Sequence, residues 1–358
     1  RAAALTADTD TDLLEKQARR FRPELAVMAN ENAARDLAVR LRDTEIRVLS
    51  GEEGLIEAAS SESAGTVITG IVGIAGLKPT MAAVRAGKRI GLANKETLVC
   101  AGSLVMRAAK ESGAEIIPVD SEHSAIFQSL RGGRREEVER ILLTASGGPF
   151  RGRTFEELAS VTKEAALNHP NWHMGPKVTI DSATMMNKGL EIIEAMHLFG
   201  LRSEQIQVLV HPQSIVHSMV EFRDHAVIAQ LGAPDMRIPI ALALTYPERG
   251  AFGAESLDFA ALPPLTFEKP DLNAFRCLRL AMETAGKPGA ACAVMNGANE
   301  TTVRLFLAGR LSFNEIYEIN AAAVERLSPL GAGSIEEIIA ADREARFLAR
   351  DLAAHSHP

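Results

Sequence analysis

The chain has 358 residues, 46% of them hydrophobic and 24% charged, with a formal net charge of -7 and a pI near 5.8. That length exceeds the ~100 to 200 residues of one ordinary domain, so two or three cores are expected of a folded rather than disordered chain. The acidic balance argues against nucleic acid as a partner, because phosphate-backbone binding rests on a basic face; no apolar run approaches the ~20 residues that span a bilayer, which predicts a soluble, cytoplasmic protein without a membrane partner.

The opening RAAALTADTD has no initiator Met and no signal-peptide pattern, and reads as a truncated beginning. From there to about Asp120, short apolar runs alternate with helix-like stretches, the pattern of parallel strands joined by helical crossovers. Strands are predicted at 2–7, ELAVMAN (24–30), AGTVITG (64–70), KRIGLAN (88–94) and AEIIPVD (114–120), and Pro79 opens a helix that Gly87 ends. A helix over 123–130 and a strand over 141–145 follow, then the turn Ser146-Gly147-Gly148-Pro149. Thr154 with Glu157 forms a capping box, so a helix is expected there. The stretch NHPNWHMGPK (168–177) is a long loop with the only Trp, suited to a lid. Strands are predicted at 206–210, 215–222 and 226–231, the last two as a hairpin across Arg223-Asp224-His225. Beyond a proline-punctuated linker, apolar residues recur at helical spacing. The division is therefore an α/β domain over 1–120, an α+β domain over 121–246, a linker over 247–271 and a helical bundle over 272–358. Cys100, Cys277 and Cys292 are widely spaced without a CxxC pair and read as free thiols.

Candidate chemistry clusters at a few places. Asp120 closes a predicted strand with Glu122 two residues on, where an extended backbone points both carboxylates to one side; strand ends are where open α/β sheets bind ligands. The plain alternative is a helix start decorated with acids. Asn187, Lys188 and Glu191 flank one helix edge at i, i+1 and i+4, an arrangement that by itself also describes a solvated surface pair. Ser182 fits as an N-cap just before that helix. Ser146-Gly147-Gly148 offers a hydroxyl and backbone N–H groups to a phosphate, though tight turns use the same residues. His169 and Trp172 are placed to close over a ligand, while His211 and His217, beside sheet strands, fit a structural or a functional role equally.

These strings together resemble the 1-deoxy-D-xylulose 5-phosphate reductoisomerase family: LANKETLV around Lys95, PVDSEHSAIFQ around Asp120, TASGGPF around Ser146, then HPNWHMG, IDSATMMNKGLE and VHPQSIVHSMV. The resemblance implies an NADPH-dependent enzyme of isoprenoid precursor synthesis. Its substrate, a small phosphorylated sugar, rearranges to an aldehyde by retro-aldol cleavage and re-addition, and is then reduced to 2-C-methyl-D-erythritol 4-phosphate. It implies a metal triad of Asp120, Glu122 and Glu191 for Mg2+ or Mn2+, with Co2+ also compatible. Ser146, Ser182, Asn187 and Lys188 match the phosphate contacts, and Ser121 and Lys95 contacts to the carbon skeleton. His169 and Trp172 match the closing loop. Lys95, Asp120, Glu122, Glu191 and His169 form the implied catalytic set; Asn94, Glu96 and Gly175 match cofactor positions. A homodimer is expected by analogy.

Two departures lie in the Rossmann-like NADPH-binding domain. The family opens with a strand and a GxTGSIG-type loop for the pyrophosphate, and this chain starts beyond them. Where the family has an Ala-Gly-basic-Asn turn near the 2'-phosphate, this chain reads Ala7-Asp8-Thr9-Asp10, whose acids repel phosphate and predict a weaker preference for NADPH over NADH. Two competing readings remain open: a cofactor-independent, metal-dependent phosphosugar isomerase or aldolase, and a catalytically silent scaffold.

Overall fold

The computed structural model describes residues 1–172 and 174–356. The N-terminal region alternates strand and helix: β1 (Ala4–Ala7), α1 (Thr11–Phe21), β2 (Leu25–Met28), α2 (Glu31–Arg40), β3 (Arg47–Ser50), α3 (Gly51–Ser60), β4 (Thr66–Thr69), α4 (Leu77–Arg85), β5 (Arg89–Leu92), α5 (Lys95–Ser112) and β6 (Glu115–Pro118). All strand pairs here are parallel, in two three-stranded sheets ordered β1-β2-β3 and β4-β5-β6. Every residue of the central strand β2 is buried, as expected of a parallel strand covered on both faces. The expected strands are present, each shortened to four residues, and β3 is an addition. Its RVLS is half-exposed and opens on Arg47, so no apolar run or clean alternation announces it.

Next come α6 (Ser121–Ser129), β7 (Val138–Ala145), α7 (Phe155–Leu158), α8 (Lys163–Leu167), α9 (Pro176–Ala183), α10 (Met186–Phe199), β8 (Ile206–Val210), β9 (Val216–Phe222), β10 (Val227–Leu231) and α11 (Arg237–Thr245). The four-stranded sheet runs β10-β9-β7-β8, with β7–β8 parallel and the other pairs antiparallel. The predicted hairpin turns at His225 in a left-handed conformation (φ 66). The capping box of Thr154 and Glu157 forms, yet opens a helix of only four residues. Helix α11 falls in a stretch that the sequence reading left unassigned; its Pro239 sits in the first turn, where the missing N–H breaks no bond.

Two expectations about the middle region are corrected. Ser182 is not an N-cap. The chain becomes helical at Pro176, within the stretch expected as loop, and Ser182 lies in the last turn of α9. Met185, left-handed at φ 58, then breaks the helix before α10 starts at Met186. Nor does Glu122 lie on extended chain: β6 ends at Pro118, and Asp120 turns the backbone into α6, its carbonyl accepting from the Ser124 N–H at 2.8 Å.

The C-terminal region is helical: α12 (Arg276–Thr284), α13 (Ala291–Leu307), α14 (Phe313–Leu327) and α15 (Ile335–Ser356). Helix α13 packs against α14 and α15 and also reaches α5 and α9. Gly297 permits the approach of α15, because a Cβ there would lie 2.7 Å from Asp342 Oδ1. The connecting stretch returns to the sheet, where Val210 and Glu268 exchange backbone hydrogen bonds of 2.8 and 2.9 Å. No helix among the described residues is long and apolar enough to cross a membrane.

Candidate active site

Three helix starts converge on one cavity of about 290 Å³. Lys95 begins α5, whose N-cap Asn94 accepts from the Thr97 N–H at 2.8 Å. Asp120 stands at the head of α6, but its carboxylate makes no capping bond and is free to face the cavity, with Ser121 and Glu122 in the turn below. Helix α10 supplies Asn187, Lys188 and Glu191 from its first two turns. The sequence-named Ser146, His169, Trp172 and Ser182 line the same cavity.

Carboxylate oxygens of Asp120, Glu122 and Glu191 lie within 4.8 Å of one another. Two ammonium groups hold them together: Lys188 Nζ is 2.9 Å from Glu122 Oε1 and also bonds Glu191, while Lys95 Nζ bonds Asp120 and lies 3.2 Å from Glu191 Oε1. Asn187 donates to Glu191 Oε1 at 2.5 Å and Ser121 to Glu122 Oε2 at 2.6 Å. Burial pushes the Glu191 carboxyl up to about 7, and the neighbouring Glu122 charge adds to it. Burial acts on Asp120 in the same sense, but Lys95 overrides it and holds that carboxyl far below the usual range. The all-oxygen donor set, three carboxylates deep, is that of a hard divalent cation such as Mg2+ or Mn2+.

Behind the triad, the fully buried His123 donates from Nε2 to the Glu191 carbonyl at 2.9 Å, and its Nδ1 faces Glu194 Oε2 at 3.3 Å. This pair was not singled out from sequence: two helices bring it together, and only the EHS spacing next to Asp120 hints at it.

At the other end of the cavity, His169 Nδ1 accepts from the backbone N–H groups of Asn171 (3.2 Å) and Trp172 (3.0 Å). Nε2 is therefore the protonated nitrogen, donating to Ser146 Oγ at 3.0 Å. Gly148 N–H donates to the same oxygen at 3.2 Å, so the Ser146 hydroxyl hydrogen is left for a ligand. Gly148 is required twice over: its φ is +65, and a Cβ would meet the Ser182 carbonyl at 2.7 Å.

Family models described as 1-deoxy-D-xylulose 5-phosphate reductoisomerase match residues 1–102, and its C-terminal domains match 116–199 and 231–348. The reductoisomerase of Ruminiclostridium cellulolyticum is 51% identical over 98% of this chain and 92% of its own, and that of Acetivibrio thermocellus 54% over 97% and 91%. The chain belongs to the 1-deoxy-D-xylulose 5-phosphate reductoisomerase family. The solved Zymomonas mobilis reductoisomerase in complex with NADPH superposes with a TM-score of 0.92 at 46% identity, over 98% of this chain and 91% of that one. A reductoisomerase complex with NADPH, fosmidomycin and magnesium superposes at 0.94 and 43%, with the same coverage.

Not every position that the reductoisomerase resemblance named meets in the cavity. Ala7, Asp8, Thr9 and Asp10 lie at the end of β1, and Asp10 caps α1 by accepting from the Leu13 N–H at 3.0 Å. Asn94 donates its amide to the Ile71 and Gly73 carbonyls, shaping the loop after β4. The Glu96 carboxylate meets Lys177 Nζ at 2.8 Å, and Gly175 is the N-cap of α9. Both ring nitrogens of His211 are bonded to backbone: its Nε2 accepts from the Ile215 and Val216 N–H groups and its Nδ1 donates to the Thr266 carbonyl at 2.9 Å. His211 and His217 both line the cavity with Ser214 and Met236, and burial lowers the His217 pKa.

Proposed function

We propose that this chain converts 1-deoxy-D-xylulose 5-phosphate to 2-C-methyl-D-erythritol 4-phosphate with NADPH and a divalent cation, Mg2+ or Mn2+. The observation that carries this reading is one cavity whose wall brings the carboxylate triad, with Lys95, Asn187 and Lys188 bonded to it, together with the hydroxyls of Ser146 and Ser182. When bound, the cation polarises the oxygens of the sugar skeleton and NADPH supplies the hydride.

The chain's own residues do the rest. Asp120, Glu122 and Glu191 hold the cation, and Lys188 with the Ser146 and Ser182 hydroxyls and Asn187 grips the phosphate, whose charge favours such donors. Burial lowers the His169 pKa, so the neutral ring keeps Ser146 oriented while Trp172, from the same loop, covers the ligand and excludes water. Lys95, bonded to Asp120 and Asn187, sits where an oxygen of the carbon skeleton gains negative charge. Asn94, Glu96 and Gly175 at the starts of α5 and α9, together with Ala7–Asp10 after β1, are the residues that would hold the nicotinamide cofactor. The domain division at about 120, 246 and 271 follows from the same reading. So does a homodimer, for which the edge strand β10 with exposed Val227 and the exposed Ile240 and Leu244 of α11 offer an apolar face; light scattering tests it.

Incubation with substrate, Mg2+ and NADPH should yield one 2-C-methyl-D-erythritol 4-phosphate per NADPH oxidised. Mass-spectrometric detection of a rearranged product without NADPH consumption would decide for the cofactor-independent isomerase instead.

A further inference from the structure

A line of buried polar contacts runs from the C-terminal helices to the foot of the loop that carries His169 and Trp172. It starts at Asn299, fully buried in the middle of α13. Asn320 of α14 donates to Asn299 Oδ1 at 3.0 Å and itself accepts from Thr302 Oγ1 at 3.0 Å, so the Asn299 amide is oriented with its nitrogen leaving the bundle. That nitrogen donates to Asp181 Oδ1 of α9 at 2.7 Å. Asp181 Oδ2 meets Lys177 Nζ at 2.8 Å, one turn earlier on α9, and the same ammonium meets Glu96 Oε1 of α5 at 2.8 Å. Lys177 is two residues past Gly175, where the loop ends, and Glu96 directly follows Lys95.

Two buried carboxylates thus share one half-buried ammonium, an arrangement that well-packed apolar side chains would match or better in stability. What they supply is register. Each hydrogen bond is directional, so α9 is fixed along its axis against both α5 and α13, where apolar packing alone would tolerate sliding. Ser182, one residue after Asp181, is carried by the same helix.

We propose that Asn299 is a positioning residue for the substrate loop: through Asp181 and Lys177 the C-terminal helices set where the loop is anchored relative to Glu96 and Lys95. The inference rests on the reading of the loop as a cover over the substrate. Trp172 is the only tryptophan, so its emission reports the loop without a label.

The test titrates fosmidomycin with saturating Mg2+ and follows Trp172 emission in the full chain. Asn299→Leu should raise the Kd about tenfold, the usual range for losing a supporting contact of a site, and shrink the emission change at saturation, while Mg2+ affinity of the ligand-free chain stays as it was. The double exchange Asp181→Asn with Asn299→Asp keeps one donor facing one acceptor and should recover both. Should Asn299→Leu fail to fold, Lys177→Gln reads the same link from a partly exposed position and should show the same loss. An unchanged Kd and full emission amplitude in the folded single variant overturns the inference, as does a folded double exchange that recovers neither. Unmodified protein whose emission ignores fosmidomycin overturns the cover reading, and the inference with it.

Discussion

The cavity and the end of β1 are both places where the family resemblance puts ligand contacts, yet they are built differently. Around the cavity, the buried Lys188 and Glu191 of α10 and the half-buried Lys95, Asp120 and Glu122 of α5 and α6 are bonded across elements separated by up to 96 residues in sequence. At the end of β1, Asp8, Thr9 and Asp10 are exposed, and the bond that the Asp10 carboxylate accepts from the Leu13 N–H is a local helix cap. The contrast teaches that a charge held by several distant partners is a commitment of the whole fold, whereas an exposed charge on a turn can change with little consequence elsewhere.

The strongest way to break this contrast is Glu191→Gln. Replacing a buried ligand by a neutral amide should lower Mg2+-dependent turnover about 10³-fold or more, as several kcal/mol of charge stabilisation translate into rate; a variant with near-normal kcat would show that the triad is only a structural cluster. Ser146→Ala comes next. Losing one charge-assisted hydrogen bond of about 1.5 to 3 kcal/mol predicts a KM for the phosphosugar raised by roughly 10- to 100-fold with the Mg2+ requirement unchanged, measurable by steady-state kinetics.

A pH effect follows from the raised carboxyls of Glu191 in the cavity and Glu194 behind it. Burial pushes both Glu191 and Glu194 up to about 7, so the metal-free native state binds more protons than the unfolded chain between their ordinary value near 4.5 and about 7. The stability this contributes is complete below 4.5 and is lost as pH rises through 7. The metal-free chain should therefore melt lower at pH 8 than at pH 6 on this account, and Mg2+ should restore most of the difference at pH 8 because it binds the ionised triad. Calorimetric scans with and without Mg2+ check both statements. The smallest effect is expected at the other region. Asp8→Asn should change the NADPH to NADH preference by only about 2- to 5-fold, since an exposed charge is screened. Asp10→Ala should cost about 1 kcal/mol of stability through its lost cap, read from denaturant melts.

How much of this was legible beforehand depended on whether the signal was local. The strand-helix alternation up to Asp120 and the hairpin across His225 announce themselves through apolar runs and turn residues, and α10 through its Asn187, Lys188 and Glu191 spacing. Strand β3 and helix α11 did not, since one is half-exposed with an arginine and the other carries a proline in its first turn. Ser182 was misplaced for a related reason: serine before a helix reads as a cap, and nothing local shows that the preceding turn is helical too. Motif resemblance named the cavity residues, but not the His123–Glu194 pair behind Glu191 or the placing of His217 in the wall.

The sequence by itself determined the parallel-strand beginning, the helical end, the acidic surface balance and the family, because those reside in composition, periodicity and contiguous strings. Only the tertiary structure decided that Asp120 leaves its own helix uncapped to face Lys95, that Glu96 turns to Lys177, and that Asn299 reaches Asp181 across 118 positions of chain. Burial and the partner at hydrogen-bond distance set the role of a charged side chain, and both are properties of packing between elements that no local pattern encodes.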